Sequence, residues 1–396
     1  MRNTITAMAT SLAATTTTTT TTHHEFHIAP MQCYTNQPLR KLTSFLSPTS
    51  IKWTEMEKVD DLLPDLEHSL KKRLGGEENE TNLILQLGSS NANKLQRCVR
   101  VALDHYPKLR EINLNCGCPA IATGGAPTYG ASLMKDVSLT SQLVESIAST
   151  TEINVSVKCR IGVFDTAEDI APMGEKQYEY LHKYVTAIHD AGANHVILHA
   201  RPAILSLNPV KNRIVPTLDY GVVHRIASDF KGKVKITING GINSLIDLKT
   251  MQNDDTTNIS SHMSGRWCLR RPLDLMEIER SLVDKAMPDV QSAIHHYIEY
   301  AVKNQNQFTI GELCLPLYLI VAQLQEDYEQ ERESNLLSWE EIETLHNIIE
   351  DGLLTKLSNG KMKKSNSIKF KKLASSFKPL VGTKVVNKWK RNRAEL

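Results

Sequence analysis

The sequence has no Cys-x2-Cys pair and no run of 18 or more apolar residues. The first absence argues against a zinc knuckle, so no metal site is expected; the second argues against a membrane-spanning helix. The most apolar stretch, Leu313 to Leu324, is shorter, carries Gln323 and reads as a core helix. No Gly-x-Gly-x-x-Gly follows the first β-prone run, which counts against a dinucleotide-binding doubly wound sheet. Strong net charge is also missing: 46 Lys and Arg against 44 Asp and Glu leave +2. The distribution of charge along the chain is therefore more informative than its sum. Seven cysteines without a secretory signature fit reduced thiols in an intracellular compartment. No acid precedes Glu25, and Thr15 to Thr22 is an unbroken threonine run. Residues 1–25 cannot bury a core and are expected to be disordered. They read either as a polar tail without an address or, lacking acids, as a transit peptide.

What is present is an alternation. Eight β-prone runs recur: 27–30, 51–53, 83–86, 111–115, 155–158, 195–199, 234–238 and 259–263. Helix-patterned stretches such as Lys94 to His105, Thr140 to Thr150 and Gln177 to Ala191 lie between them. Repeated strand–helix units imply parallel pairing, and eight of them imply an α/β fold of the TIM (β/α)8 barrel type. Residues 26–287 suit such a barrel in length. After residue 288 the pattern becomes all-helical, with segments at Val290 to Lys303, Ile310 to Arg332 and Trp339 to Lys356. Lys361 to Leu396 holds twelve Lys or Arg and a single acid, Glu395. Residues 288–396 thus read as a smaller helical domain with a basic end.

In a barrel the chemistry sits at the C-terminal ends of the strands. Those ends here are Ala29-Pro30-Met31, Gln86-Leu87-Gly88, Asn115-Cys116-Gly117-Cys118-Pro119 and Lys158-Cys159-Arg160. The series continues with His199-Ala200-Arg201, Asn239-Gly240-Gly241 and Ser264-Gly265-Arg266. One mouth collects amides, a thiol, a lysine, an imidazole, arginines and two glycine turns. The turns follow strands seven and eight, the usual phosphate position of this fold, and Arg266 can add a charge-assisted bond.

The same strings resemble the tRNA-dihydrouridine synthases. Ala29-Pro30-Met31 with Thr35, Arg40 and Thr54-Glu55-Met56 is similar to that family's opening. So are Leu85-Gln86-Leu87-Gly88, Ile112 to Pro119, Tyr129 to Met134, Val157 to Gly162 and Ile238 to Ile242. Asn208 to Arg213 with Pro216, Leu218 and Tyr220 resembles the bacterial-type subfamily acting at D-loop positions 20 and 20a. The resemblance covers about residues 26 to 280 and resumes from Phe377 to Arg391. Departures are Asn36 where an acid is usual, Ser132 where a cysteine is common, the strand-eight run Ile259 to Ser264, a longer loop at Ala120 to Thr128 and an insertion through Asp169 to Glu175.

The resemblance implies a flavin oxidoreductase that reduces the C5–C6 bond of uridine in tRNA with FMN, using NADPH or NADH. It implies Cys118 as the acid, which suits a thiol: its ordinary pKa near 8.5 leaves it mostly protonated at neutral pH. Lys158 is expected beside the flavin ring, with Gln86 on its edge and Pro30, Met31 and His199 in contact. Asn239, Gly240, Gly241, Gly265 and Arg266 are expected at the FMN phosphate. Asn115, Arg201, Lys211 and Arg213 are candidates for the uridine and nearby tRNA phosphates. Lys384, Lys388, Lys390 and Arg391, around Trp389, are candidates for backbone contacts at the tRNA elbow. A monomer is expected, in the cytoplasm, or in a mitochondrion or plastid if residues 1–25 are a transit peptide. Two rivals stand beside this reading: an FMN barrel acting on a free small molecule, and a tRNA-binding homologue without flavin.

Overall fold

Strands of a parallel barrel are covered on both faces, so they tolerate runs of Ile, Val and Leu that would be costly at a surface. The computed structural model describes residues 25–75, 80, 82–119, 129–170, 172–253, 258–282 and 289–329. Its eight-stranded sheet comprises β1 (Glu25–Ile28), β2 (Lys52–Lys58), β3 (Leu83–Gly88), β4 (Glu111–Cys116), β5 (Asn154–Arg160), β6 (His195–His199), β7 (Lys235–Asn239) and β8 (Ser261–Ser264). Every pairing is parallel, in the order β1–β8–β7–β6–β5–β4–β3–β2. A bridge between His27 and Ile51 joins the two end strands, with Ile28 N donating to Ile51 O at 2.9 Å and Ile51 N to Phe26 O at 2.8 Å. The sheet is therefore a closed cylinder, the expected (β/α)8 barrel.

Seven helices follow the first seven strands in turn: α1 (Gln37–Leu46), α2 (Leu66–Leu74), α3 (Ala92–His105), α4 (Val137–Ala148), α5 (Glu175–Asp190), α6 (Tyr220–Asp229) and α7 (Leu245–Gln252). After β8 come the short helix Arg266–Arg270 and α8 (Asp274–Leu282). Side-chain caps start several of them. Asn36, for example, accepts from Leu39 N at 3.3 Å, doing the work an aspartate would do there. The strands lie close to where the sequence suggested, with three shifts. β1 is Glu25–Ile28, two residues earlier than the expected 27–30. β8 starts at Ser261 rather than Ile259, and its atypical residues still pair in register with Thr237, Ile238 and Asn239. β2 runs on to Lys58 although Thr54 to Lys58 are mostly polar, because Met56, Glu57 and Lys58 line the mouth; the register shifts between Trp53 and Met56.

The floor of the barrel is polar. His195 lies between Glu111 (Nδ1 to Oε2, 2.8 Å) and Thr237 (Nε2 to Oγ1, 2.7 Å). Trp53 Nε1 donates to His27 Nδ1 at 3.2 Å, and burial pushes His27 down to about 4, keeping it a neutral acceptor. Lys52 is buried but donates to the Ser47 and Pro48 carbonyls at 2.7 and 2.9 Å.

Two more helices, α9 (Val290–Lys303) and α10 (Ile310–Glu329), pack on the barrel's outer wall. Tyr297, Leu313, Leu317 and Ile320 share one apolar cluster with Phe26, Leu42, Leu46 and Trp267. Gln323 breaks the apolar run for a reason. Its Oε1 accepts from Leu273 N at 2.9 Å and its Nε2 donates to Asp274 Oδ1 at 3.1 Å. Among the described residues no helix is long and apolar enough to cross a membrane. The segment 1–24, the loop 120–128, the helix expected at 339–356 and the basic stretch from 361 lie outside the described residues.

Candidate active site

A cavity of about 970 Å³ opens at the C-terminal ends of the strands. Pro30, Met31, Gln86, Asn115, Cys118, Lys158, His199, Arg213, Asn239, Gly240, Gly241, Gly265 and Arg266 all line it. Two candidates from the sequence stand back from it. Arg201 is half-buried and donates through Nη1 to the Pro216 carbonyl; Lys211 is exposed on the short turn Lys211–Arg213. Lys384, Lys388, Lys390 and Arg391 lie outside the described residues.

Side chains alternate in and out along a strand, so Asn113 and Asn115 of β4 point to the same side. An amide chain results. Gln86 Nε2 donates to Asn113 Oδ1 at 2.8 Å, and Asn115 Nδ2 donates to Gln86 Oε1 at 2.8 Å. Asn115 Oδ1 in turn accepts from Gly117 N at 3.1 Å and Cys118 N at 3.0 Å. Asn115 thus fixes the loop that carries the thiol and leaves one amide hydrogen for other partners. Cys118 is half-buried at the cavity wall, whereas Cys116 is fully buried, its thiol pushed up to about 12 by burial.

The wall beside the thiol, carried by the neighbouring strand β5 and by β6, is cationic. Burial and then the neighbouring Arg160 charge pull the Lys158 ammonium down to about 8. Among the described residues it has no hydrogen-bond or carboxylate partner. His199 is held well below the usual imidazole range by burial and then by Arg160, Lys158, Arg201 and Arg266. Its buried Nδ1 has no partner among the described residues. Arg266 is lowered by burial and then by Arg213, Arg270 and Arg201. Cations crowded this way, without acids between them, describe a place made for an anion.

Beside them the chain turns at Gly240 (φ +107°) and Gly241 (φ +81°), backbone that other residues adopt only with strain. A Cβ on Gly241 would also collide with the Tyr220 hydroxyl. Tyr220 donates to Gly240 O at 2.9 Å, and Asn239 Nδ2 to Met263 O at 2.9 Å, so the turn is pinned from both sides.

Several wall residues were not singled out from the sequence. Arg160 is buried, donating through Nε to Gly117 O at 3.2 Å and through Nη1 to Pro202 O and Asn212 O at 3.3 Å each. It ties the thiol loop to the loop after β6. Its place two residues beyond Lys158 on one strand is the signal that could have found it. The outer wall adds Met56, Glu57, Lys58, Arg73 and Tyr129. Burial raises Glu57 to about 7 although Arg73 lies 3.2 Å away. These residues come from β2, α2 and the turn before α4, and no local pattern links them.

Comparisons with known proteins identify the family. The dihydrouridine synthase family model matches residues 27–350. A tRNA-dihydrouridine(20/20a) synthase of Shewanella oneidensis is 31% identical over 69% of this chain and 77% of its own. The protein of the same name from Pseudomonas syringae is 33% identical over 66% and 73%, and that from Pasteurella multocida 30% over 71% and 81%. A solved aldolase, QR15, aligns at 13% identity with a TM-score of 0.37, covering 64% of this chain and 97% of that one, a likeness too loose to bear on function. With a match that spans both the barrel and the helices packed on it, the chain belongs to the dihydrouridine synthase family, and it is an oxidoreductase of that kind.

Proposed function

We propose that this protein reduces uridine to 5,6-dihydrouridine in the D-loop of tRNA, at positions 20 and 20a, with FMN as cofactor and NADPH or NADH as reductant. The observation that carries this reading is one cavity lined by a half-buried thiol and, next to it, a cluster of cations with no acid among them. The residues fit FMN. The orphan His199 Nδ1, the unpartnered Lys158 ammonium and the pinned glycine turn are what an anionic ring and a phosphate require. The volume suits a cofactor with a base above it.

Asn239, Gly240, Gly241, Gly265 and Arg266 would hold the phosphate. Gln86, Pro30, Met31 and His199 would border the ring, with Lys158 set against its anionic edge. When bound, FMN would supply hydride chemistry for one carbon of the uridine C5–C6 bond, with the nicotinamide donor as the source of electrons. Cys118 Sγ gives its proton to the other carbon and takes one back from solvent, so the base gains two hydrogens in total. Asn115 and Arg160 hold the Cys118 loop in place. Arg201, Lys211 and Arg213 contact RNA near the mouth, and the region 288–396, through Lys384, Lys388, Lys390 and Arg391, grips the tRNA backbone.

Incubating the flavin-loaded chain with NADPH and an unmodified tRNA transcript tests this. Nucleoside mass spectrometry should find a D-loop uridine heavier by two hydrogens. NADPH oxidation with no heavier uridine would sink the proposal in favour of a small-molecule substrate.

A further inference from the structure

The loop after β6 presents something the reduction chemistry does not use. Ile214 is 70% exposed and Val215, the next residue, 47% exposed. Single exposed apolar side chains are ordinary. A consecutive pair on a stiff, cationic loop at the lip of an active-site cavity is not.

The stiffness comes from Asn212, whose side chain is fully buried beneath the loop. Its Oδ1 accepts from Ile204 N at 2.8 Å, and its Nδ2 donates to the carbonyls of Ile204 and Leu207 at 2.8 Å each. Arg160 holds the Asn212 carbonyl and Arg201 the Pro216 carbonyl, so both flanks are clamped. The amides of Ile214 and Val215 both turn back to Lys211 O, at 3.0 and 2.9 Å. Both side chains are β-branched, so little rotamer freedom is left to lose on contact. No acid occurs between Arg201 and Leu218, while Lys211 and Arg213 immediately precede the pair. Arg213 lines the cavity, which puts Ile214 one residue, about 3.8 Å of chain, from the site.

We infer that Ile214 and Val215 form an apolar wedge that enters the base stack of the RNA loop as the target uridine leaves it for the cavity. The inference rests on the tRNA reading above. A uridine inside a stacked loop cannot present C5 and C6 to Cys118, so the base must be extruded. The gap left behind is costly, and apolar side chains inserted beside it offset the lost stacking. The two cations just before the pair meet neighbouring phosphates, the charge complement an apolar tip needs to approach RNA.

The test compares the wild-type chain with the double variant Ile214→Ser, Val215→Ser, which leaves the clamps intact. Two substrates are used: folded tRNA, and the same tRNA with abasic sites flanking the target uridine. On folded tRNA the variant should lose roughly tenfold or more in kcat/KM, the loss falling mainly on kcat. On the abasic substrate, where nothing is left to unstack, the two proteins should agree within about twofold. Flavin reduction by NADPH should be unchanged. Equal rates on folded tRNA, or equal losses on both substrates, would overturn the wedge while leaving the reductase reading intact. Absence of product from the wild-type chain on either substrate would remove both.

Discussion

A lysine at the inner end of an apolar strand is a costly placement unless its charge has work to do. Lys158 is such a residue. Burial first and Arg160 second bring its ammonium down to about 8, so it is charged below that pH and neutral above. If its charge stabilises the anionic edge of the reduced ring, kcat/KM for tRNA falls as pH rises through about 8 or a little higher, where the proton is lost. Lys158→Arg, which keeps its charge, should retain most activity and move that descending limb upward; Lys158→Met should slow the reaction by on the order of 10²-fold. A limb at the same pH in the arginine variant would assign it to another group. At this scale the sequence was informative about Lys158, Cys118 and the glycine turn, because each ends a strand and strand ends meet at one mouth. It said little about Arg160, whose meaning lies in carbonyls 42 to 52 residues away. Nor did it reveal that Asn115 spends its carbonyl on the thiol loop.

Among the elements, α10 shows how a helix can be apolar enough to belong to the core and still carry a precise polar seam. Asp327 is 1% exposed and is held by Arg271 through two bonds, at 2.7 and 3.2 Å. Gln323 one turn earlier reaches Leu273 and Asp274. Removing the guanidinium would leave a buried carboxylate alone, so Arg271→Ala should destabilise the fold by about 3 kcal/mol in urea titration. Adding Asp327→Ala should return part of that loss. A single-variant loss under about 1 kcal/mol would show that α10 is not docked by this pair. The helical character of 290–329 was legible from its 3.6-residue pattern. Its docking against α1 was not, because the complementary face lies about 250 residues earlier in the chain. The strands were legible because central parallel strands are written in branched apolar residues. β2 was read short, since its second half is polar and serves the mouth instead of the core.

As a whole, the molecule separates two jobs along the barrel axis. A floor of paired and capped polar groups, His195 with Glu111 and Trp53 with His27, closes the cylinder at one end. The other end is left cationic and open, with a thiol on one side. On the function proposed above, that polarity would let one base reach a proton donor while its phosphates remain outside. The central claim is that Cys118 supplies the proton. It is tested most directly by mixing pre-reduced, flavin-loaded Cys118→Ala with tRNA and following the flavin absorbance. The variant should accept electrons from NADPH at the wild-type rate and then fail to pass them on, with tRNA-driven reoxidation slowed by at least about 10²-fold. Reoxidation within a few-fold of wild type, with dihydrouridine formed, would contradict the account.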